Sequence, residues 1–559
     1  MTSLRVGLGC MRLSTSPERD DVSALETIRA AHDAGVRWFD TAHSYGFGED
    51  DLGHNERLVA RALAGRDAFV VTKGGMARPG GQWKPDGRAS RIRSDAEASA
   101  TALGRPIDAL LLHVPDPSTA WATSVRALKR VLDDGVARSI GLSNVNLARL
   151  DEALALAPIS IVQLALSLLD DEPIHSGVLA RCLERGIVVM AHTPLGGPKR
   201  VSKLLKSPVL GELAARHGVS AGTIAIAGVL AVAPNVVAIP GARRAEVSRS
   251  ISQAGTLSLS VDELEALRSG FRALRSAPVS RAATEAPKRE GEVVMLMGLQ
   301  GSGKSEQVSA WVAKGYTRLN RDTAGGTLRD LAATVDVRLR EGVTRLVLDN
   351  TYVTRSTRAQ VLEVAARHGV EVRGVWFDTP LHEAQVNVIG RMLEAHGRLL
   401  SPEELRRGIE NTMLPPMAQL RLLRELELPT AEEGFAALEM LGFVRRPVTG
   451  VAARLVALER LDALTADPSL LTFVFGWKPD APESELAELS ARATALGATL
   501  SLCVHPAGPP TCWCRPPLPG LLLAFARNAG VDLARSELLG VTPSHEVMGR
   551  VVGAQVSLA

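Results

Sequence analysis

The sequence predicts an α/β protein built from a (β/α)8 barrel, the TIM-barrel fold, followed by two smaller α/β domains. Short apolar runs alternate with helical patterns along the first 272 residues, and a strand, a glycine-rich loop and a helix follow from residue 292. Two more apolar strands come after residue 450. The runs are continuously apolar, which is typical of parallel strands covered on both faces. A chain of 559 residues also agrees with three or four domains of roughly 150 residues each.

Eight apolar runs define the expected barrel, and most of them end in a polar residue or glycine. Eight strand–helix units in this length of chain are typical of a (β/α)8 barrel, whose active sites lie at the carboxyl ends of the strands. The uncharged stretch 220–242 is interrupted by Pro234 and Asn235, so we expect a buried helix and then a buried strand. The expected barrel strands are 5–9, 36–40, 68–73, 109–113, 138–144, 160–163, 187–192 and 236–241.

Two changes in composition mark the expected domain boundaries. Apolar periodicity is lost over residues 272–290, and RRPVTG around 445–450 marks a second break. Expected strands are 292–298, 344–350 and 370–378 in the second domain, and 470–476 and 498–505 in the third. The predicted division is 1–272 for the barrel, 273–290 for a linker, 291–445 for the second domain and 446–559 for the third.

Composition excludes some classes of function. The net charge is +3, from 64 Lys and Arg against 61 Asp and Glu, and only 4% of residues are aromatic. Broad coating of nucleic acid is therefore not expected, although specific contacts stay open. Five cysteines, an odd number, do not indicate a disulfide framework, and the N-terminus lacks a long apolar segment. We expect a cytoplasmic protein with no membrane partner.

Four residues at the expected barrel rim form a catalytic candidate. Tyr45 offers a proton, and the nearby ammonium of Lys73 would lower the pKa of this phenol, while Asp40 would hold Lys73 in place. His113 offers a second hydrogen bond to a carbonyl oxygen that gains charge. This set predicts proton donation to a small carbonyl substrate.

The segments WFDTAHSY, VVTKGG and LLLHVPD, with GLSN, TPLGG and IPGARR, resemble the aldo-keto reductases over nearly the whole first 272 residues. The resemblance implies NADP(H)-dependent carbonyl reduction with Asp40, Tyr45, Lys73 and His113 as the catalytic tetrad. One departure is His192, where many members carry an aromatic residue that stacks on the nicotinamide. The residues that the resemblance assigns to the cofactor are Ser143, Asn144, Gln163, His192, Pro194, Leu195, Gly241, Arg243 and Arg244.

The second domain opens with a phosphate-binding motif. GLQGSGKS, residues 298–305, fits G-x-x-x-x-G-K-[ST] and lies between an expected strand and an expected helix. Backbone N–H groups around Gly298, Gly301, Ser302 and Gly303 would contact phosphate oxygens. Lys304 would reach the β/γ-phosphates of ATP, and Ser305 would bind Mg²⁺.

The segments RLNRD (318–322) and LDNT (348–351) resemble the 5′-kinase domain of polynucleotide kinases. The resemblance implies that Asp322 is the general base for an acceptor hydroxyl and that Asp349 lies near the Mg²⁺. It also places Arg391, and with it Arg398, in a lid over the donor phosphates. Arg355, Arg358 and Asn387 complete the pattern, although both arginines equally fit an ordinary solvated helix face.

The third domain contains a candidate zinc site. Cys503, His505, Cys512 and Cys514 form C-x-H-x6-C-x-C, which suits a closed tetrahedral Zn²⁺ centre. The surrounding segment resembles the zinc loop of haloacid-dehalogenase (HAD)-type phosphatases, such as histidinol-phosphate and heptose-bisphosphate phosphatases. No D-x-D-G-[TV] nucleophile motif occurs after residue 445, and Pro516 replaces the usual lysine. We therefore expect a degenerate, catalytically inactive domain with a structural zinc.

Together these patterns predict a multidomain enzyme that reduces a small carbonyl and phosphorylates a hydroxyl. The favoured acceptor is a nucleic-acid 5′-OH, RNA or DNA, as in end-healing or RNA repair. Two alternatives stay open: a metabolic reductase and small-alcohol kinase, and a nucleotide-sensing protein that regulates a partner.

Overall fold

A computed structural model of the protein describes residues 4–271, 288–407, 413–445, 448–508 and 510–558. Its contacts divide the chain into two compact units, Met1–Thr284 and Glu285–Ala559. Most of the expected linker, and residues 446 and 447 at the expected second boundary, lie outside the described residues.

The first unit is a barrel of eight parallel strands. Their order around the sheet is β1-β2-β3-β6-β7-β8-β9-β10, and the bridges Val6–Ala238 and Gly9–Gly241 close it. All eight expected strands are therefore confirmed. The bounds are β1 Gly7–Gly9, β2 Trp38–Asp40, β3 Phe69–Gly74, β6 Ala109–Leu112, β7 Ile140–Ser143, β8 Ile159–Ala165, β9 Val188–His192 and β10 Val236–Ala238. A small antiparallel pair, β4 Met76–Ala77 and β5 Lys84–Pro85, follows β3.

Successive residues of each barrel strand face opposite sides, so one set fills the interior and the other set packs against the surrounding helices. Val71 and Leu111 fill the barrel interior, whereas Val70 and Leu110 pack outward against the helices. A Cβ at Gly141 would lie 2.3 Å from the carbonyl oxygen of Ile161, so this position admits only glycine. The helices are Arg12–Thr15, Asp21–Asp33, His54–Ala62, Ala89–Leu103, Trp121–Asp133, Leu147–Leu156, Glu172–His175, Val178–Glu184, Val201–Leu205, Pro208–His217, Ala221–Leu230, Ala245–Ser252 and Val261–Gly270.

The uncharged stretch 220–242 forms the buried helix Ala221–Leu230 and then β10, as expected. Among the residues that the structure describes, no single helix is long and apolar enough to cross a membrane. The helices Pro208–His217 and Ala221–Leu230 reach that length and composition only as a pair, and they are bent by 98°.

The second unit contains two separate parallel sheets of five strands each. The first has the order β12-β13-β11-β14-β15 and the second the order β18-β17-β16-β19-β20. The first comprises β11 Glu292–Met297, β12 Thr317–Leu319, β13 Arg345–Asp349, β14 Glu371–Asp378 and β15 Ala437–Gly442. The second comprises β16 Ala453–Ala457, β17 Leu471–Trp477, β18 Ala498–Cys503, β19 Glu537–Gly540 and β20 Gln555–Leu558.

Helices cover both sheets and also join them. Leu381–His396, which flanks the first sheet, packs against Gly520–Ala529 and Pro543–Val552 of the second. The other helices are Lys304–Ala313, Arg321–Ala324, Leu328–Arg340, Arg355–Arg367, Pro402–Arg407, Pro416–Glu425 and Glu483–Ala495.

Candidate active sites and metal centre

The four expected catalytic residues of the barrel lie at the carboxyl ends of neighbouring strands. Nζ of Lys73 donates to Oδ1 of Asp40 at 2.6 Å and lies 3.0 Å from Oη of Tyr45. It also donates to the carbonyl oxygen of Thr41 at 2.9 Å. The rings of Tyr45 and His113 meet edge to face with centroids 5.8 Å apart. The structure therefore brings the predicted tetrad together, with the ammonium at its centre.

Burial dominates the acid–base properties of this group. Burial raises the pKa of Tyr45 to about 12, although the Lys73 ammonium opposes this effect. The expected net fall in the Tyr45 pKa is therefore wrong for this structure. Burial, with Lys73 and His192 nearby, lowers the pKa of His113 well below its usual value. Tyr45 is thus a protonated donor and His113 a neutral imidazole at neutral pH.

The residues expected to hold the cofactor lie in or just after the carboxyl ends of β7, β8, β9 and β10. Nε2 of Gln163 donates to Oδ1 of Asp40 at 2.6 Å. Asn144 has a φ of 57°, and its amide contacts His192 at 3.2 Å and the hydroxyl of Ser143 at 3.0 Å. Pro194 and Leu195 follow β9, whereas Gly241, Arg243 and Arg244 follow β10 and are exposed.

Trp83 is a part of this site that sequence reasoning missed. Its ring lies 6.2 Å from that of Tyr45 and 5.9 Å from that of His113, and the guanidinium of Arg78 stacks on it at 3.7 Å. Trp83 lies in the loop between β4 and β5. No periodicity marks such a short hairpin, so only the folded chain shows that its tryptophan reaches the tetrad.

In the second unit, the glycine-rich loop leads from β11 into the helix Lys304–Ala313. Gly301 and Gly303 have φ values of 87° and 92°, which favour glycine. Nζ of Lys304 donates to the carbonyl oxygens of Gly298 and Leu299 at 3.0 and 2.7 Å, and burial lowers its pKa to about 8. The loop therefore has the form of a phosphate cradle with its lysine folded onto it.

A cavity of about 970 Å³ opens over this loop and brings the expected kinase residues together. Asp322, Asp349 and Arg391 line it beside Lys304 and Ser305. Oγ of Ser305 donates to Oδ2 of Asp349 at 3.5 Å, so this hydroxyl and carboxylate lie side by side at the loop. Carboxylates, a lysine and arginines thus surround one space of nucleotide size.

Arg355 and Arg358 do not join this cavity, which corrects the expectation drawn from sequence. Arg358 is fully buried, and its Nε and Nη2 each donate to Glu433 at 2.7 Å. Arg358 therefore forms a structural ion pair with Glu433, and it is neither a phosphate ligand nor a solvated surface residue. Arg398 pairs with Glu404 at 2.6 Å, whereas Asn387 donates to the carbonyl oxygen of Gly301 at 2.8 Å.

Comparison with known proteins agrees with this geometry. Residues 5–270 match the sequence model of the Aldo/keto reductase family. The barrel is an aldo/keto reductase domain. Residues 293–410 match the model of an AAA domain, so the glycine-rich loop belongs to a P-loop domain.

Proteins named aldo-keto reductases match about half of the chain. Aldo-keto reductase str7 of Strobilurus tenacellus is 26% identical over 284 residues, which is 45% of this chain and 81% of that protein. Probable aldo-keto reductase 1 of Glycine max is 29% identical over 306 residues, 48% of this chain and 85% of that protein. A solved glycerol dehydrogenase of Gluconobacter oxydans is 28% identical, with a TM-score of 0.43, and covers 50% of this chain and 94% of that structure.

The four expected metal ligands of the third domain converge at the end of β18, whose last residue is Cys503. Their ligand atoms all lie within 4.8 Å of one another. The Sγ atoms of Cys503 and Cys512 are 3.7 Å apart, and Nδ1 of His505 lies 3.4 Å from Cys503 Sγ and 3.2 Å from Cys514 Sγ. Tetrahedral zinc with Zn–S bonds of about 2.3 Å separates two sulfurs by about 3.8 Å. The donor set and its spacing therefore fit Zn²⁺.

Proposed function

We propose that the protein is a bifunctional enzyme that reduces a small carbonyl compound with NADPH in the aldo/keto reductase domain and phosphorylates a hydroxyl with ATP in the P-loop domain. The observation that carries the reductase half is the contact of Lys73 Nζ with both Asp40 and Tyr45. The observation that carries the kinase half is the single cavity shared by Lys304, Asp322 and Asp349.

The tetrad supports reduction because its groups can stabilise the negative charge that develops on a carbonyl oxygen. The nicotinamide, when bound, supplies hydride to the carbonyl carbon. Tyr45 donates its proton to the oxygen, and Lys73 stabilises the phenolate that remains, 3.0 Å away. Neutral His113 donates a second hydrogen bond to that oxygen. Ser143, Asn144 and Gln163 lie along the same rim, where a carboxamide would find both donors and acceptors.

The P-loop cavity supports transfer of a phosphoryl group to a hydroxyl. Asp322 lines the cavity and offers a carboxylate that can accept the hydroxyl proton. Ser305 and Asp349 would hold Mg²⁺, and Lys304 with Arg391 would contact the donor phosphates. Arg318, Arg321 and Arg421 also line the cavity, and their guanidinium groups can bind the phosphates of a polyanionic acceptor such as a nucleic-acid 5′-end.

One observation favours a small alcohol as the second candidate acceptor. No aromatic side chain is among the described residues that line the cavity. Single-stranded nucleic acid is usually bound with base stacking on aromatic rings, and that surface is missing from these lining residues.

One assay separates these functions. The purified chain receives γ-labelled ATP with 5′-hydroxyl RNA, 5′-hydroxyl DNA and a panel of small alcohols in parallel, and NADPH oxidation is followed with a panel of aldehydes and ketones. Transfer to oligonucleotides supports the nucleic-acid kinase, and transfer to an alcohol alone supports the metabolic enzyme. Binding of both nucleotides without turnover of either would contradict the proposal and support a sensor.

For the third domain we propose a HAD-like phosphatase fold that has lost catalysis and keeps one structural zinc. In this reading β16 takes the place of the strand that carries the nucleophile in such phosphatases. It ends at Ala457 and is followed by Leu458 and Glu459, so no aspartate pair stands there. Thiols stay reduced in the cytosol, so cysteine ligands to zinc favour that compartment. Metal analysis should give one zinc per chain in the wild type and none in Cys512→Ser.

A further inference from the structure

The helix Leu381–His396 forms one wall of the nucleotide cavity. Asn387 on this helix donates to the carbonyl oxygen of Gly301 at 2.8 Å, and Arg391 lines the cavity one turn further on. A Cβ at Gly301 would lie 2.2 Å from the carbonyl oxygen of Ala384. The helix therefore touches the phosphate-binding loop directly, so a small shift of the helix must displace the loop or break this packing.

The opposite side of the same helix packs against the zinc loop of the third domain. Ile389, Met392 and Leu393 form a buried cluster with Trp513 and Leu518. Trp513 is only 1% exposed. This tryptophan stands between two of the four candidate zinc ligands in sequence, so the metal site and the cluster share one short piece of chain.

Trp513 also contacts a residue of the cavity wall directly. Its Nε1 donates to the carbonyl oxygen of Leu414 at 3.1 Å, and Leu414 itself lines the nucleotide cavity. Behind it, a Cβ at Gly520 would lie 2.3 Å from the carbonyl oxygen of Trp513. The tryptophan is therefore fixed on three sides: by the metal loop, by the start of the helix Gly520–Ala529, and by the wall of the P-loop cavity.

We propose that Trp513 is a positioning residue for the phosphoryl-transfer site, and that zinc bound by Cys503, His505, Cys512 and Cys514 holds it there. This inference rests on the proposed kinase function. The inactive phosphatase-like domain then has a defined task, because its metal loop sets the position of the helix that carries Asn387 and Arg391. Loss of the metal loosens the loop, releases the indole, and weakens ATP binding without any zinc ligand touching ATP.

The first test compares two substitutions of similar size in the same domain. Trp513→Leu removes the contact with the cavity wall, whereas Phe525→Leu removes a ring stacked on Phe473 at 4.3 Å within the core of the third domain. We expect Trp513→Leu to raise the KM for MgATP about tenfold with a smaller change in kcat, because a misplaced binding group costs affinity first. Phe525→Leu should leave both values near wild type. Trp513→Phe, which keeps an aromatic ring, should recover most of the affinity.

The second test removes the metal and reads the structure as well as the activity. Chelation of zinc from the wild type should raise the KM for MgATP by a factor similar to that of Trp513→Leu. In Trp513→Leu, chelation should raise the KM for MgATP little further, because loss of zinc and loss of the indole break the same contact between the metal loop and the cavity wall. Amide hydrogen exchange should increase in 381–396 on chelation and in Trp513→Leu, but not in Phe525→Leu.

The outcomes separate this inference from the function on which it rests. Unchanged exchange in 381–396 and an unchanged KM after both chelation and Trp513→Leu would overturn the positioning role. Failure of the wild-type chain to bind MgATP would overturn the proposed kinase, and hydrogen exchange would then decide the coupling between metal loop and helix.

Discussion

Oη of Tyr45 lies 3.0 Å from Nζ of Lys73, and both side chains are almost completely buried. The same ammonium donates to Asp40, so one cation contacts the proton donor on one side and its counter-ion on the other. A buried ammonium without a partner would lose its proton, because burial disfavours the charged form. Here Asp40 and Tyr45 outweigh burial, and the pKa of Lys73 is raised. Lys73 therefore stays positively charged beside the Tyr45 phenol at neutral pH.

The first prediction concerns the hydroxyl of Tyr45. Tyr45→Phe removes the proton donor and keeps the ring that packs against His113. We expect carbonyl reduction to fall about 10²- to 10⁴-fold, the usual contribution of a positioned acid, with NADPH affinity within a factor of about three. Stopped-flow NADPH oxidation and fluorescence titration measure the two quantities. Tyr316→Phe, in the second unit, is the matched control, and equal reduction by the two variants would remove Tyr45 from the mechanism.

The second prediction concerns pH. An acid carries the proton that it donates only below its pKa. The raised pKa therefore keeps Tyr45 protonated at neutral pH, and proton donation is lost only as pH rises through about 12. The chain has three tyrosines, so near-ultraviolet phenolate absorbance of the cofactor-free protein is simple to assign. The difference between wild type and Tyr45→Phe should show no phenolate below about pH 10. A difference signal that titrates between pH 7 and 9 would show that Lys73, and not burial, sets this pKa.

The sequence was most informative where strands are continuously apolar and carry chemistry at their ends. All eight barrel strands, and the tetrad in or after the ends of β2, β3 and β6, follow from that pattern, because the inside of a parallel barrel admits few polar residues. The pKa of Tyr45 did not follow, since burial is a property of the folded chain. Sequence showed an ammonium nearby, but not the desolvation that outweighs it.

The second unit shows where such patterns fail. β12 has three residues at a sheet edge, and β15 is an edge strand whose Met440 is 52% exposed, so neither presents a buried apolar run. Arg358 illustrates the same limit for side chains. Its partner Glu433 lies 75 residues further along the chain, and no local spacing distinguishes a buried pair from a phosphate ligand.

The third prediction concerns Asp322 as general base. Asp322→Asn keeps the shape of the side chain but removes its ability to take a proton. We expect phosphoryl transfer to fall about 10²- to 10⁴-fold, with MgATP affinity nearly unchanged because Lys304 and the loop N–H groups remain. Transfer of labelled γ-phosphate and equilibrium ATP binding give the two readings. Glu371→Gln, an exposed acid paired with Lys288, is the control. Transfer by Asp322→Asn at the control rate would assign proton removal to another group.

The fourth prediction separates Arg358 from catalysis and assigns it to stability. Its guanidinium donates twice to Glu433 and once each to the carbonyl oxygens of Tyr352 and Glu427, with no exposure to solvent. Arg358→Met leaves the Glu433 carboxylate buried and unpaired, which costs about 3–5 kcal/mol. Arg358→Met with Glu433→Gln should recover much of that loss, because no buried charge is then left without a partner.

Urea unfolding of the full chain measures these differences, and carbonyl reduction reports separately that the barrel remains folded. The control is Arg338→Met, which breaks an exposed pair with Glu341 and should cost less than about 1 kcal/mol. If Arg358 instead bound phosphate, Arg358→Met would unfold at the same urea concentration as Arg338→Met, and ATP binding would be lost. If Arg358 forms a buried ion pair, Arg358→Met should unfold at a lower urea concentration than Arg338→Met. The folded fraction of Arg358→Met should then bind ATP with near-normal affinity.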